Sequence, residues 1–315
     1  MKNNALLKKT QNFQIKVLFP YIAFIVITLI FSFLARDRFL TIGNFKIILQ
    51  QAAVLAITAF GLHFCIIRGG IDLSVGSVLC VAGLIGADMA QKYGAVAGLL
   101  AGLLVGLFFG LCNGLIHTFL YIPSFIVTLG KQKIARGFAY MYSRSEPISL
   151  IKSLKFIGKW PTIIYITLIV FVITYILYNY TRFGRYALAV GGDLRVAELN
   201  GVPVKLVSIC VYMFSGLLAG LAGMIMAGRL GSAVPTTGIG YESQAIAAVA
   251  MGGAPLTGRT GSVTNTLIGA FITATLCNGL TIVGVDTEMQ QVFTGLLLIF
   301  AVAISLDRKK VGMIR

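Results

Sequence analysis

The stretch "RGGIDLSVGS", residues 68–77, separates two long apolar runs. It opens with a cation and two glycines, then sets an aspartate and a serine where a membrane helix would carry leucine. Gly69 and Gly70 reach backbone conformations closed to other residues, so a helix can end there. Asp72 is then placed as the N-cap of the next helix, its carboxylate accepting from the N–H groups of Ser74 and Val75. Backbone that leaves the helix at membrane depth has to line a cavity or be buried in protein. Two interpretations stay open at this point: a capped helix break inside the membrane, or a tight turn at its surface.

The rest of the chain puts that stretch in a membrane. Of 315 residues, 57% are hydrophobic and 11% charged, against roughly 25% charged in soluble domains. Segments near residues 17–35, 45–67, 75–91, 94–120, 160–181, 205–229, 262–283 and 287–306 approach the length of about 20 apolar residues that spans a bilayer. Two more, 122–143 and 240–256, are apolar but interrupted. The expected fold is all-α: one polytopic transmembrane domain over 1–315, with about eight to ten transmembrane helices and broken or re-entrant segments. The first apolar segment ends in "LARDRF" without a small-residue cleavage site, so it is expected to be a helix and not a cleaved signal. Cys65, Cys80, Cys112, Cys210 and Cys277 lie in apolar segments without metal-ligand spacing and are expected to pack as small hydrophobes.

The net charge of +16 follows largely from the enrichment of Lys and Arg on the cytoplasmic side of membrane proteins. Lys2, Lys8, Lys9 and Lys16 precede the first span, and Arg308, Lys309, Lys310 and Arg315 follow the last. Tails 1–16 and 307–315 are therefore expected to be cytoplasmic. The loop 182–205, with Arg182, Arg185, Arg195 and Lys205, is expected on the same side. The loop 144–159 carries Arg144, Lys152, Lys155 and Lys159, yet counting helices puts it on the other side.

An echo of the opening stretch recurs downstream. Gly69 and Gly70 align with Gly252 and Gly253, an offset of 183 residues (252 minus 69), and "LIGA" at 84–87 with "LIGA" at 267–270. "LCNGL" occurs at 111–115 and again at 276–280. Two internally related halves are expected, with broken helices in corresponding positions marking the solute path. The second break, "MGGAPLTGRTGS" at 251–262, surrounds Pro255 with glycines. The pathway residues expected from the two breaks are Gly69, Gly70, Asp72, Ser74, Gly76, Gly252, Gly253, Pro255, Gly258 and Gly261.

"GGDLRVAELNGVPV" (191–204) reads as a short capped helix over 194–200. Asp193 caps its start, Gly201 ends it and Pro203 blocks continuation. Leu194, Ala197 and Leu199 offer apolar contact and Arg195 and Glu198 offer charge. A helix this short is marginal in water and needs a docking partner or a supporting face.

"GGIDLSVGS" resembles the signature of permease subunits of bacterial ABC importers for ribose and other simple sugars. Further blocks are similar to that family in order: "NGLIHTFLYIPSFIVTLG" (113–130), "TRFGRYALAVGGDLRVAELNGVPV" (181–204), "YMFSGLLAGLAGMIMAGRL" (212–230) and "SAVPTTGIGYESQAIAAVAMGGAPLTGRTGSVTNTLIGA" (232–270). The resemblance spans about residues 40–305. It implies import of a sugar or similar small polar solute across the inner, cytoplasmic membrane of a bacterium. It also implies a second permease subunit, a cytoplasmic ATPase and an extracytoplasmic solute-binding protein, with nucleic acid playing no part. It gives Asp193, Arg195, Ala197, Glu198, Leu199 and Gly201 the role of the coupling helix that docks on the ATPase. The chain has no G-x-x-x-x-G-K-[ST] loop. No cofactor is expected in it, ATP and Mg being bound by the partner, and no catalytic or metal site.

Departures from the family pattern are Lys131, Lys133 and Arg136 in "KQKIAR", and Arg259 and Asn265 where glycine is common. Charges at membrane depth usually face a pathway or an interface. The alternative, taken as the expectation, is that 122–143 enters only partway and its cations reach back to a surface. For Asn265 an altered helix crossing or an interhelical hydrogen bond is expected. Two other functions compete with this reading. An ion-gradient transporter or channel needs deep acid pairs, whereas Asp72, Asp88, Glu242, Asp286 and Glu288 are the only acids near apolar segments. A membrane enzyme would have to use His63 or His117, which belong to no cluster.

Overall fold

The computed structural model describes residues 2–305, and side chains over 18–303. The charged side chains assigned to the two tails lie outside that range. Over the described residues the chain forms α1 (Lys2–Leu34), α2 (Arg36–Phe39), α3 (Ile42–Ile67), α4 (Val75–Tyr93), α5 (Ala95–Phe119), α6 (Ser124–Ser143) and α7 (Lys152–Lys155). These are followed by α8 (Thr162–Tyr180), α9 (Arg182–Gly192), α10 (Leu194–Leu199), α11 (Val204–Leu230), α12 (Tyr241–Met251), α13 (Val263–Val283) and α14 (Thr287–Ser305). Helices α3, α4, α5, α8, α11 and α13 are long and apolar enough to cross a membrane. Shorter apolar helices run over Leu18–Leu34 and Thr287–Ala303. With α6 and the short α12 these make the ten segments anticipated, and the protein is an all-α polytopic membrane protein.

Helix α3 is the axis of the bundle. Every residue from Ala52 to Arg68 is buried, and α8, α11, α12 and α13 pack around it. A helix that is apolar on all sides is stable only when it is enclosed. Beside it, α5 and α11 cross closely. Gly98, Gly102, Gly106, Gly110 and Gly114 recur every fourth residue of α5 and are buried or face α4 and α11. A Cβ on Gly106 would strike the carbonyl of Gly216, and one on Gly216 would strike the carbonyl of Gly106. Gly110 lies on the carbonyl of Tyr212 and Gly114 against Ile209, so the helices are antiparallel. Lipid supplies no hydrophobic force between helices, so this contact rests on the close approach that small residues permit.

The ends of α11 settle the conflict over the basic loops. Its 27 residues extend roughly 40 Å. Beyond its C-terminus, β2 (Ser232–Ala233) pairs antiparallel with β1 (Ile148–Ser149). Before its N-terminus lie α9 and α10. Loops 144–159 and 182–203 are therefore at opposite ends of the bundle, as helix counting gives and as charge alone does not.

Between 230 and 262 the chain crosses the bundle once. The turn after α12 and the turn after α3 lie at the same end, because the N–H of Arg259 donates to the carbonyl of Ile67 at 3.0 Å. The sequence echoes do not map helix onto helix. The first "LIGA" and the first "LCNGL" sit on α4 and α5, whereas both second copies sit on α13. One helix cannot be the counterpart of two antiparallel neighbours. The expected correspondence of halves therefore reduces to the shared helix–break–helix form of α3–α4 and α12–α13.

The glycine crossing gives a first prediction. Gly106→Val should destabilise the chain by about 1–3 kcal/mol or more, read as a lower melting temperature and lower monodisperse yield in detergent. Gly43→Ala, where nothing lies within 4 Å of the added Cβ, should change neither.

Candidate functional site

The first break is a complete helix-ending motif. Gly69, at φ +88°, donates its N–H to Ile66 at 2.8 Å, and Gly70 donates to Cys65 at 2.9 Å. This is the Schellman pattern, which needs a left-handed residue where Gly69 stands. The chain then leaves the helix, and neighbouring side chains satisfy its backbone. The Ile71 N–H donates to Ser124 Oγ at 3.2 Å, and Thr128 Oγ1 donates to the Ile71 carbonyl at 3.2 Å. Arg68 points sideways and gives Nε and Nη2 to Ser208 Oγ at 3.0 and 2.6 Å.

Asp72 holds the far side of this reversal. It is 1% exposed. Its Oδ1 accepts the Ser74 N–H at 3.0 Å and the Ser74 hydroxyl at 2.6 Å. Its Oδ2 accepts from Ser215 Oγ on α11 at 2.9 Å, and Asn113 Nδ2 on α5 approaches Oδ1 at 3.4 Å. Asn113 also donates to Ser74 Oγ at 2.9 Å. The expected N-cap geometry needs correction. Ser74 occupies the cap position of α4, and Asp72 bonds two residues ahead, as aspartate does in a turn. It thereby fastens the break to both helices of the glycine crossing. Asn113 and Ser215 were not anticipated as its partners. The available signal was an amide in the middle of an otherwise apolar span.

The second break uses the same ending with a different register. Gly253, at φ +84°, donates to Ala250 at 2.8 Å, and Ala254 donates to Val249 at 3.3 Å. Gly253 is thus the counterpart of Gly69, an offset of 184 (253 minus 69), not the 183 read from the paired glycines. Gly252 is buried before the turn, against the backbone of Asn265. The Asn265 N–H bonds the Ser262 hydroxyl at 3.3 Å, capping α13.

Several predicted residues come together around the end of α3. Gly258 lies on the backbone of Gly69 and Gly261 on His63 and Ile67. The Ile67 carbonyl takes the Arg259 N–H, and Gly191 of α9 is packed directly against that same carbonyl. Gly191 was not singled out by sequence. Arg259 sits at φ +81°, a left-handed backbone that costs an ordinary residue roughly 1–2 kcal/mol. That explains why glycine suits the position. Gly76 does not join this group: it seats the carbonyl of Gly238 and the carboxylate of Glu242. Pro255 opens the turn closed by Gly258. Gly69, Gly253 and Arg259 are exposed, whereas Gly70, Asp72, Ser74, Gly76, Gly252 and Gly258 are buried.

The short helix over 194–200 forms as α10. Asp193 Oδ1 accepts the Val196 N–H at 3.0 Å, and Gly201 follows at φ +76°. Asn200 supplies the C-cap and returns its amide to Val196 at 2.8 Å. One assignment changes. Ala197 is 4% exposed and faces the chain's own helices, so it anchors α10 and offers no outward contact. Val196, at 54%, replaces it beside Leu194 at 51% and Leu199 at 83%. Arg195 and Glu198 are exposed.

Helix α6 also departs from expectation. It is a continuous 20-residue helix, about 30 Å long, that runs from the first break, where Ser124 and Thr128 bond Ile71, to the end of the bundle where β1 pairs with β2, so the segment is not interrupted as expected. Arg136 Nη1 donates to the carbonyls of Pro235 and Thr237, both at 2.8 Å, and Gln132 Nε2 donates to Glu242 Oε1 at 2.7 Å. These residues clamp the segment leading into α12. Lys131 lies over the rings of Phe109 and Phe108, 4.7 and 5.9 Å from their centres. Among the described residues the histidines are packed singly, His63 beside Thr266 at 2.9 Å and His117 beside the Ile122 carbonyl at 2.7 Å.

Ten helical segments, two capped interruptions meeting at one end and an exposed short helix beside that meeting point define a polytopic membrane transport subunit. The chain belongs to the family described as "Branched-chain amino acid transport system / permease component", which matches residues 44–302. It is the membrane subunit of an ABC importer. It is 38% identical to the ribose import permease protein RbsC of Escherichia coli (strain K12), over 92% of each chain. The ribose import permease protein RbsC of Bacillus subtilis (strain 168) has the same identity and coverage. The fructose import permease protein FrcC of Rhizobium meliloti is 34% identical over 98% of this chain and 91% of its own. No solved structure matches.

The Asp72 cluster yields a second prediction. Asn113→Ala and Ser215→Ala each leave a buried polar partner unsatisfied and should cost about 1–3 kcal/mol. Combined with Asp72→Asn, their effects should fall short of the sum by about 0.5 kcal/mol or more. Thermal unfolding of the detergent-solubilised single and double variants measures both quantities.

Proposed function

We propose that this chain carries a sugar or a similar small polar solute into the cytoplasm and performs no chemistry itself. The names of its relatives support a carbohydrate. The chain pairs with a second permease subunit, receives solute from an extracytoplasmic binding protein and is driven by a cytoplasmic ATPase. ATP and Mg belong to that ATPase, since the sequence lacks a phosphate loop. The protein sits in the bacterial inner membrane with 182–203 and both termini in the cytoplasm. The basic loop 144–159 then faces outward.

One observation carries the coupling mechanism: the Ile67 carbonyl is touched by both Gly191 and Arg259. Helix α10, one residue beyond α9, exposes Leu194, Val196 and Leu199 to the ATPase. Movement of α9–α10 on closure of the ATPase is delivered to the ends of α3 and α12 without an intervening layer. Residues 69–77 and 252–261 shape the constriction that opens and closes. Asp72 keeps the first break in shape and takes no part in proton transfer. Such coupling requires two discrete packings that nucleotide binds unequally.

Purification from source membranes in mild detergent, followed by mass spectrometry, should recover an ATPase with a phosphate loop in stoichiometric amount. Leu199→Glu and Asp193→Ala should each lower the recovered ATPase and the ATP-dependent uptake by about tenfold, equivalent to about 1.4 kcal/mol of docking energy. Full recovery and full uptake in both variants would remove α10 from the interface.

A further inference from the structure

Lys133 stands at the midpoint of α6, nine residues from Ser124 and ten from Ser143, so about 14 Å of helix separates it from either end. It is exposed, on a stripe with Gly130, Ile134, Gly137, Phe138 and Met141 that none of the described residues covers. Nothing lies within 4 Å of a Cβ built on Gly130 or Gly137. Among the described residues the one ion pair is Lys92 with Asp88, so no carboxylate pairs with Lys133. A lysine stem reaches about 6 Å, too short to bring a mid-helix ammonium to the headgroups. An uncompensated charge there is not stable against lipid and has to face water or protein.

The geometry points to the exposed stripe of α6 as a wall of the aqueous solute path, with Lys133 making that path select an anionic carbohydrate, a sugar carboxylate or a sugar phosphate, over a neutral sugar. The inference rests on the importer reading and deepens it. A wet, narrow path with one sign of charge and low-dielectric walls concentrates the opposite charge, by tenfold or more. A neutral sugar gains nothing from it.

The test uses the complete complex, with its ATPase and binding protein, in liposomes. Lys133→Cys is introduced after replacement of the five native cysteines. Its thiol should react with membrane-impermeant thiol reagents, both a sulfonate and its trimethylammonium analogue, since a thiol that faces water is open to either. Ile169→Cys, on the exposed apolar side of α8, should react with neither. A thiol at 133 as inert as that at 169 would overturn the proposal. In competition uptake, one of the two anionic forms of a sugar should be preferred to its neutral form by about tenfold, and which form wins identifies the anion. Lys133→Gln should abolish that preference and Lys133→Arg should keep it. The binding protein is the same throughout, so the change in ratio reports the permease. An anion-to-neutral uptake ratio left unchanged by Lys133→Gln, with ATP dependence intact, would refute anion selection and leave the importer standing. Absence of ATP-dependent uptake in the unaltered complex would bring down the importer reading and this inference with it.

Discussion

A backbone that stops being helical inside a membrane has to satisfy every N–H and C=O it releases, because lipid offers no partner. The structure around residues 68–74 is organised by that requirement. Gly69 and Gly70 return two N–H groups to their own helix, Ser124 and Thr128 take the polar groups of Ile71, and the Asp72 carboxylate gathers Ser74, Ser215 and Asn113. The carboxylate can serve α5 and α11 together only because their glycines let the backbones touch. The hydrogen-bonding requirement and the close crossing therefore depend on each other.

This arrangement divides the molecule into a stiff part and a joint. Helices α4, α5 and α11 are locked by backbone-to-backbone glycine contacts, such as Gly223 on the Leu79 carbonyl and Gly106 on Gly216. Contacts of this kind have no side-chain slack, so the block moves as a unit or repacks discretely. The joint is different. At the end of α3 a single carbonyl meets two other segments, and the residues past it, Gly69, Gly253 and Arg259, are exposed. A strained left-handed arginine in that joint is affordable where the surrounding contacts fix its conformation.

Charge placement separates structural from functional cations. Arg68 and Arg136 are consumed by hydroxyl and carbonyl acceptors that hold the breaks and the α12 approach in place. Lys131 is covered by aromatic rings. Among the described residues Lys133 has no such partner, which is why its surroundings in the assembled transporter matter more than its own helix does.

Much of the architecture is legible in the chain itself. Apolar run lengths place the spans, paired glycines mark both helix ends, and Asp193 with Gly201 delimits α10. These are local properties, decided within a few residues by hydrogen bonding and backbone conformation. What the linear text does not contain is which distant groups meet. Counting matched glycines aligned Gly69 with Gly252, but the left-handed backbone is at Gly253. Helical patterning offered Ala197 as a contact, but packing against α9 and α11 turns it inward and leaves Val196 outside. Charge alone would put 144–159 and 182–203 on one side, but the length of α11 separates them to opposite ends of the bundle. Asn113 and Ser215 became partners of Asp72 only when α5 and α11 closed on the break, residues 41 and 143 positions away in sequence. Local rules act on neighbours along the chain; the site is built from neighbours across it, and those are fixed by which helices can approach closely enough to share one carboxylate.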